Sequence, residues 1–120
     1  MSGELNKTSK VIEGAATLKT IGSVNTIIYI LDISSLNINK GITVPLSEES
    51  FIKRQIIKQS SEIIGIMTKE KFETISTYKV SDIEKIDSIE TENTISESIL
   101  KPYLEKGIQI INTQTHPPTY

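Results

Sequence analysis

The residues best suited to chemistry are three cations near the middle of the chain. Residues 41–72 read GITVPLSEESFIKRQIIKQSSEIIGIMTKEKF, where Lys53 and Arg54 are adjacent in a predicted helix and Lys71 follows an apolar run. Arginine binds anions as a bidentate fork and lysine binds them as a point charge, so the set could hold an anionic ligand. The alternative is a solvated helix face with a Glu49–Lys53 pair at i,i+4, and an ordinary turn cation at Lys71.

Other chemistry has less support in the sequence. His116 is the single histidine, and it stands among prolines without the partners that a metal site or a catalytic site needs. The absence of cysteine excludes thiolate nucleophiles, disulfides and cysteine-based metal sites. No pair of carboxylates has a spacing that indicates acid–base work, and Glu90 and Glu92 are interpreted as solvated. We therefore expect no enzyme, no metal and no cofactor.

Composition predicts one folded domain. Ile, Leu, Val and Phe make up 36 of the 120 residues, and 23 of these are Ile, which favours a core built on strands. The net charge of −2 and a pI near 5.4 give no broad positive field for nucleic acid. The polar start has no apolar region typical of a signal peptide, and no apolar run approaches the ~18 residues of a membrane span. We therefore expect a cytoplasmic protein with no membrane partner.

Apolar runs predict four strands of a buried sheet. The run NTIIYILDI is apolar from end to end, as in a strand covered on both faces of a parallel sheet. The alternating segment ETISTYKV indicates an edge strand or a hairpin arm. The four buried strands are expected at 25–33, 62–67, about 86–90 and 107–112, and the alternating segment covers 73–80.

The predicted helix from Ser47 has the clearest signals. We expect Ser47 to cap it, with Glu48 and Glu49 in the first turn, where the helix dipole favours anions. Its apolar stripe should be Ile52, Ile56 and Ile57, with Lys53, Gln55 and Lys58 facing elsewhere.

Two further helices are predicted. One runs from about Ala15 and stops at Gly22. The other lies between Ser96 and Lys106 with Gly107 at its carboxyl end, where Pro102 predicts either a kink or a later start near Lys101. Residues 34–41 are expected as a loop, residues 41–43 as a turn, and Ser81 as the cap of a short helical turn.

This alternation predicts an α/β fold with a mainly parallel sheet and flanking helices. Ligands of such folds bind beyond the carboxyl ends of the strands. The segments expected to matter are therefore 32–43, 67–73 and 91–95.

The same stretch resembles the C-terminal effector domain of DeoR-family bacterial repressors. That family typically has G-[LI]-T, then E-x-x-x-K-R, an apolar strand and D-x-S-K-F. The resemblance extends from about Gly3 to Thr113, with GEL and Gly14 upstream and VSDIEKIDSIETE and LEKGIQII downstream. The matching positions in the central stretch are Gly41-Ile42-Thr43, Glu49, Lys53-Arg54, EIIGIM and Lys71-Phe72.

The resemblance implies a fold like that of ribose-5-phosphate isomerase, glucosamine-6-phosphate deaminase and the CoA-transferases, without their catalysis. Such domains sense a phosphorylated sugar and control a separate winged-helix DNA reader. By this analogy the phosphate would contact Lys53, Arg54 and Lys71. The sugar hydroxyls would face Ser34, Ser35, Lys40 and Gly41.

The sequence departs from the family pattern at several positions. Ser34 and Ser35 stand where many members have Asp and Gly, Thr68 and Glu70 replace the Asp and Ser of D-x-S-K-F, and Glu92 replaces a final Asp. Neither a winged helix nor a first βα unit with a Gly-Thr-Thr phosphate loop is found in these 120 residues. We therefore expect a partial effector domain over residues 1–113 and a loose tail over 114–120.

Two functions follow as hypotheses. The first is a non-enzymatic sensor of a phosphorylated sugar that self-associates as a dimer or larger and acts on DNA only through a winged-helix domain outside this chain. The second is a truncated oligomerisation or interaction module of the same family that binds no ligand. An isomerase or deaminase is disfavoured, because neither a base nor a ring-opening His is identifiable.

Overall fold

The described part of the chain forms two sheets and two helices. A computed structural model describes residues 15–21, 23–92 and 94–113. Within them two 3₁₀ turns occupy Lys69–Lys71 and Ile83–Lys85. The longer elements, in chain order, are β1 (Ala15–Ile21), β2 (Val24–Asp32), β3 (Leu36–Asn37), β4 (Gly41–Val44), α1 (Ser47–Gln59), β5 (Glu62–Ile66), β6 (Tyr78–Ser81), β7 (Ser88–Glu92), α2 (Glu97–Glu105) and β8 (Gln109–Thr113).

The larger sheet is mixed but mostly parallel. Its order is β1-β2-β5-β7-β8, in which β2, β5, β7 and β8 pair in parallel and β1 is antiparallel to β2. The smaller sheet has the order β3-β4-β6 and is antiparallel. The predicted α/β class with a mainly parallel sheet is confirmed, and all four predicted strands form. The prediction that β2 is covered on both faces is wrong, because its burial alternates along the strand, and β8 is largely exposed. The alternating segment 73–80 ends in β6, an edge strand of the smaller sheet.

The helix predicted from Ala15 is wrong. Residues Ala15–Ile21 form β1, which pairs with β2 along its whole length, from Ala15 opposite Ile30 to Ile21 opposite Val24. Ala, Leu and Lys are good helix formers, but the hydrogen bonds available along the edge of β2 outweigh that preference. The predicted stop at Gly22 and the predicted tail at 114–120, with His116, lie outside the described residues, as do residues 3–5 and Gly14.

The region predicted as loop and turn after β2 contains strands. Leu36–Asn37 and Gly41–Val44 form β3 and β4, and Leu36 pairs with Ile42. Elements of two and four residues are too short to show a period-2 pattern, so polar composition gave the wrong prediction. The cap predicted at Ser81 is also wrong, because Ser81 ends β6 and Asp82 precedes the 3₁₀ turn.

Helix α1 differs from its prediction at its start and along one face. Ser47 is its first residue and Leu46 its N-cap, with no side-chain cap; the Ser47 carbonyl instead accepts the Ser50 hydroxyl at 2.7 Å. Glu48 and Glu49 lie in the first turn, as predicted. Lys53 does not face solvent but is buried with Ile57, because residues four apart share one helix face.

Helix α2 ends as predicted. Gly107 has φ +89°, and its N–H donates to the Leu104 carbonyl while the N–H of Ile108 donates to that of Tyr103. These two bonds form a Schellman motif. The helix begins at Glu97 and contains Pro102, so the later start near Lys101 is wrong.

The core lies on one side of the larger sheet. It is a single cluster to which β2 contributes Tyr29 and Leu31, α1 contributes Ile57, and α2 contributes Tyr103. The smaller sheet adds Leu36, Ile42, Val44 and Val80 to the same cluster. Neither described helix is long and apolar enough to cross a membrane.

Candidate functional site

The carboxyl ends of the parallel strands bring several predicted residues to one edge of the sheet. Ser34 and Ser35 come one residue after the end of β2, and Lys71 lies in the 3₁₀ turn after β5. Backbone bonds tie this edge together, since Ile33 donates to the Ile66 carbonyl at 2.9 Å and Met67 to that of Glu90 at 3.1 Å. The strand order therefore places three of the predicted ligand residues where α/β folds bind ligands.

Lys53 reaches the same edge from helix α1. Its side chain is 3% exposed, and its Nζ lies 3.0 Å from a Glu49 carboxylate oxygen and donates to the Asp32 carbonyl at 3.1 Å. Asp32 is the last residue of β2. An ammonium group has three N–H donors, so one is left for a further acceptor. The predicted Glu49–Lys53 pair is confirmed, but it is buried rather than solvated.

Two hydroxyl groups in this part of the molecule are buried without a partner. Neither Tyr29 Oη nor Ser34 Oγ forms a hydrogen bond within the described residues. Burial, followed by the nearby carboxylates of Glu49 and Asp32, raises the pKa of Tyr29 to about 12. A buried polar group without a partner costs free energy, and such groups often mark a position that a ligand or water fills.

The loop that holds Lys71 also carries carboxylates. A hydrogen bond from the Thr68 side chain, with further contributions from the nearby Lys71 and Lys69, lowers the pKa of Glu70. A Glu92 carboxylate oxygen accepts the N–H of Lys69 at 2.8 Å, which ties the loop to the end of β7. A phosphate at Lys71 would therefore have an ionised Glu70 beside it.

Lys40 and Gly41 lie in the hairpin between β3 and β4. The Asn37 side chain accepts the N–H of Lys40 at 2.9 Å, and the Lys40 side chain is exposed. Gly41 is buried with φ +77°, and a Cβ there would lie 2.1 Å from the Ser81 carbonyl oxygen. The close approach of β4 to the end of β6 thus explains this glycine without a ligand.

Arg54 points away from the other predicted cations. It lines a cleft of about 660 Å³ at the amino ends of β5 and β7, the opposite edge of the sheet. The cleft carries both signs of charge, including Lys58, Lys85 and Asp87. Successive helix residues are turned by about 100°, so Lys53 and Arg54 separate although they are adjacent in sequence. The structure does not bring Arg54 together with Lys71.

A family comparison fits this arrangement. The family described as the DeoR C terminal sensor domain matches residues 1–93. The chain belongs to this family. Similar full-length proteins include the HTH-type transcriptional repressor GlcR of Bacillus subtilis, 19% identical over 114 residues, and the HTH-type transcriptional regulator GolR of Listeria innocua, 21% identical over 108 residues. These alignments cover 95% and 90% of the chain but 44% and 42% of the relatives, so the chain spans less than half of their length.

In this DeoR sensor domain, sequence reasoning missed two contributors to the carboxyl edge. One is Tyr29, a polar-tipped residue in the middle of the apolar run of β2, and the other is the Asp32 carbonyl that holds Lys53. A tyrosine inside an otherwise aliphatic strand is a usable signal, because its hydroxyl needs a partner. A backbone carbonyl carries no sequence signal. The described residues hold no group of three or more acidic or histidine side chains that could bind a metal.

Proposed function

We propose that this chain is the effector-sensing domain of a DeoR-type transcriptional repressor of carbohydrate metabolism. It binds a phosphorylated sugar and controls DNA binding by a separate winged-helix domain, in the cytoplasm and without catalysis. Two relatives named as HTH-type transcriptional regulators support this reading. The sensor unit would cover residues 1–113, with 114–120 as a tail. The fold would be that of ribose-5-phosphate isomerase, glucosamine-6-phosphate deaminase and the CoA-transferases.

The observation that carries the proposal is the buried ammonium of Lys53 at the carboxyl edge. It lies at the end of the strand that contributes the unpartnered hydroxyl of Tyr29 and leads directly into Ser34. Burying a charge costs several kcal/mol, so an apolar side chain would fill this position at lower cost if packing were its only role. Its remaining donor, the two hydroxyls and the cation of Lys71 together suit an anion that carries hydroxyl groups.

The predicted ligand residues fall into two groups by their position on the sheet. Lys53 and Lys71 are proposed for the phosphate, and Ser34 and Ser35 for the sugar, because all four lie on one edge of the sheet. Arg54, Lys40 and Gly41 stay predictions that rest on family resemblance. Arg54 contacts the same ligand only if the effector also reaches the opposite edge.

The first experiment is thermal unfolding of the chain with a panel of sugar phosphates, each paired with its unphosphorylated sugar. A sensor is stabilised by one phosphate and not by its parent sugar, with a shift that grows as the ligand exceeds its dissociation constant. Lys71→Gln should weaken that ligand at least about tenfold, because it removes one charge-assisted contact. Lys58→Gln, at an exposed cation of α1 outside the predicted ligand set, is the matched control and should leave the affinity within about twofold.

A second candidate function is supported by exposed apolar side chains. Leu46 and Phe51, at the start of α1, are 56% and 57% exposed. They favour self-association as a dimer or larger, which could accompany sensing or replace it in a module that binds no ligand. A cooperative melt that no ligand shifts, together with a dimer in sedimentation, would favour the module. A monomer would contradict self-association.

A further inference from the structure

One face of the larger sheet is not covered by any described element. On β2, the buried residues Tyr29 and Leu31 point into the core, so the alternate residues Ile28 and Ile30 point to the other side. These two are absent from the core and from the half-buried side chains packed against it. We call this second side the outer face.

The outer face is rich in apolar side chains. Strand register places Ile64 beside Ile30, and Ile66 beside Asp32. Ile66 is 40% exposed and Ile111, on β8, is 37% exposed. Parallel sheets of α/β proteins bury both faces, so strands with this pattern are typical of a sheet with a second layer. The apolar members of the outer face are Val24, Ile28, Ile30, Ile64, Ile66 and Ile111.

The charged side chains that the structure describes on the outer faces of β2, β5 and β7 are acidic. Four carboxylates alternate with or border the isoleucines, namely Asp32, Glu62, Glu90 and Glu92. None of the four forms an ion pair within residues 15–21, 23–92 and 94–113.

We propose that the outer face docks a basic amphipathic helix. Its apolar side would lie along the isoleucines, and lysines or arginines on its flanks would approach the four carboxylates. Helices are the usual cover of a parallel sheet, and complementary charge fixes which helix is accepted. A second copy of this chain is disfavoured, because symmetric pairing would present the same acidic face to itself.

This inference is independent of the proposed sugar-phosphate site. The outer face lies on the opposite side of the sheet from α1 and Lys53, and it shares no residue with the proposed ligand set. Loss of one activity therefore leaves the other measurable.

The test uses the whole chain and two fluorescent synthetic helices of about 18 residues. Both carry the same leucines at i,i+3 and i,i+4 spacing, and their polar positions are lysine in one and glutamate in the other. Fluorescence anisotropy should show saturable binding of the lysine helix that weakens as salt is raised. The glutamate helix should bind at least about tenfold more weakly.

Matched variants locate the binding. Ile66→Ser and Glu90→Gln should each weaken the lysine helix, the first by about tenfold and the second by severalfold. Ile75→Ser, at a 58% exposed isoleucine elsewhere, and Glu97→Gln, at the exposed start of α2, should change the affinity less than about twofold. Circular dichroism checks that all four variants fold.

Three results would overturn the proposal. One is no binding, or equal binding of both helices. Another is equal weakening by the control variants, which would indicate non-specific attraction. The last is a dimer of the chain that Ile66→Ser dissociates, which would identify a second copy as the occupant of the outer face.

Discussion

At the scale of single residues, two glycines share a left-handed backbone but differ in their surroundings. Gly41 has φ +77° and its missing Cβ would lie 2.1 Å from a backbone carbonyl, whereas Gly107 has φ +89° with nothing within 4 Å. Gly41→Ala should therefore lower the free energy of unfolding by about 3 kcal/mol or more, and Gly107→Ala by about 1 kcal/mol. Urea unfolding measures both, and equal losses would contradict the packing assigned to Gly41.

Because of Tyr29, the stability of the folded chain should depend on pH in the alkaline range. Burial raises its pKa to about 12, while a tyrosine in the unfolded chain titrates near 10, so the folded chain holds its proton more tightly between these values. Stability is fully present below about pH 10 and falls as pH rises towards 12. Tyr29→Phe should make this fall shallower in urea unfolding at about pH 9 and about pH 11, and an unchanged slope would contradict the prediction.

Tyr103 should contribute to the same fall, because burial and then its hydrogen bond to Glu73 raise its pKa. The slope should therefore decrease in Tyr29→Phe without vanishing. At neutral pH, Tyr29→Phe should keep or raise stability, since it removes a buried hydroxyl without a partner. Weaker binding of the effector by the same variant would place Tyr29 beside the ligand.

At the scale of elements, Pro102 weakens helix α2. It stands inside the helix, where it cannot donate to the carbonyl of Ser98 and crowds it. Pro102→Ala should raise the free energy of unfolding by about 1–2 kcal/mol, after allowance for the greater freedom of the unfolded chain. Its exposed neighbour serves as control, since Lys101→Ala should change stability by less than about 0.5 kcal/mol. Destabilisation by Pro102→Ala would mean that packing requires the local geometry that the proline sets.

Some of these elements could be predicted from the sequence and others could not. Strand β2 and the carboxyl-terminal Gly107 were predictable, because an apolar run and a left-handed cap each leave a local signal. Strand β1 was not, because its seven residues favour a helix until β2 offers hydrogen-bond partners. Lys53 was predicted to face solvent because the prediction followed its charge. Its spacing of four residues from the buried Ile57 indicated the opposite. Glu49 and the Asp32 carbonyl come together around the Lys53 ammonium only in the folded chain.

At the scale of the whole molecule, the two opposite edges of the larger sheet hold different predicted ligand residues. The carboxyl edge holds Ser34, Lys71 and the buried end of Lys53, and the amino edge holds Arg54 in its cleft. Parallel pairing alone predicts this separation once the strands are known, whereas the adjacency of Lys53 and Arg54 in sequence conceals it. The smaller sheet and the uncovered outer face have no signal in the sequence, because both depend on which elements pack together.

We propose that the effector binds at the carboxyl edge, and a backbone amide NMR titration tests this most directly. The ¹⁵N-labelled chain is titrated with the sugar phosphate that stabilises it, with the parent sugar as control. Binding at the carboxyl edge predicts chemical-shift changes concentrated in residues 32–35 and 67–73, and none of that size with the parent sugar. Changes concentrated around Ser60, Ser61 and residues 82–87 would instead place the ligand in the Arg54 cleft and contradict the proposal. The absence of binding by every phosphorylated sugar would contradict it as well.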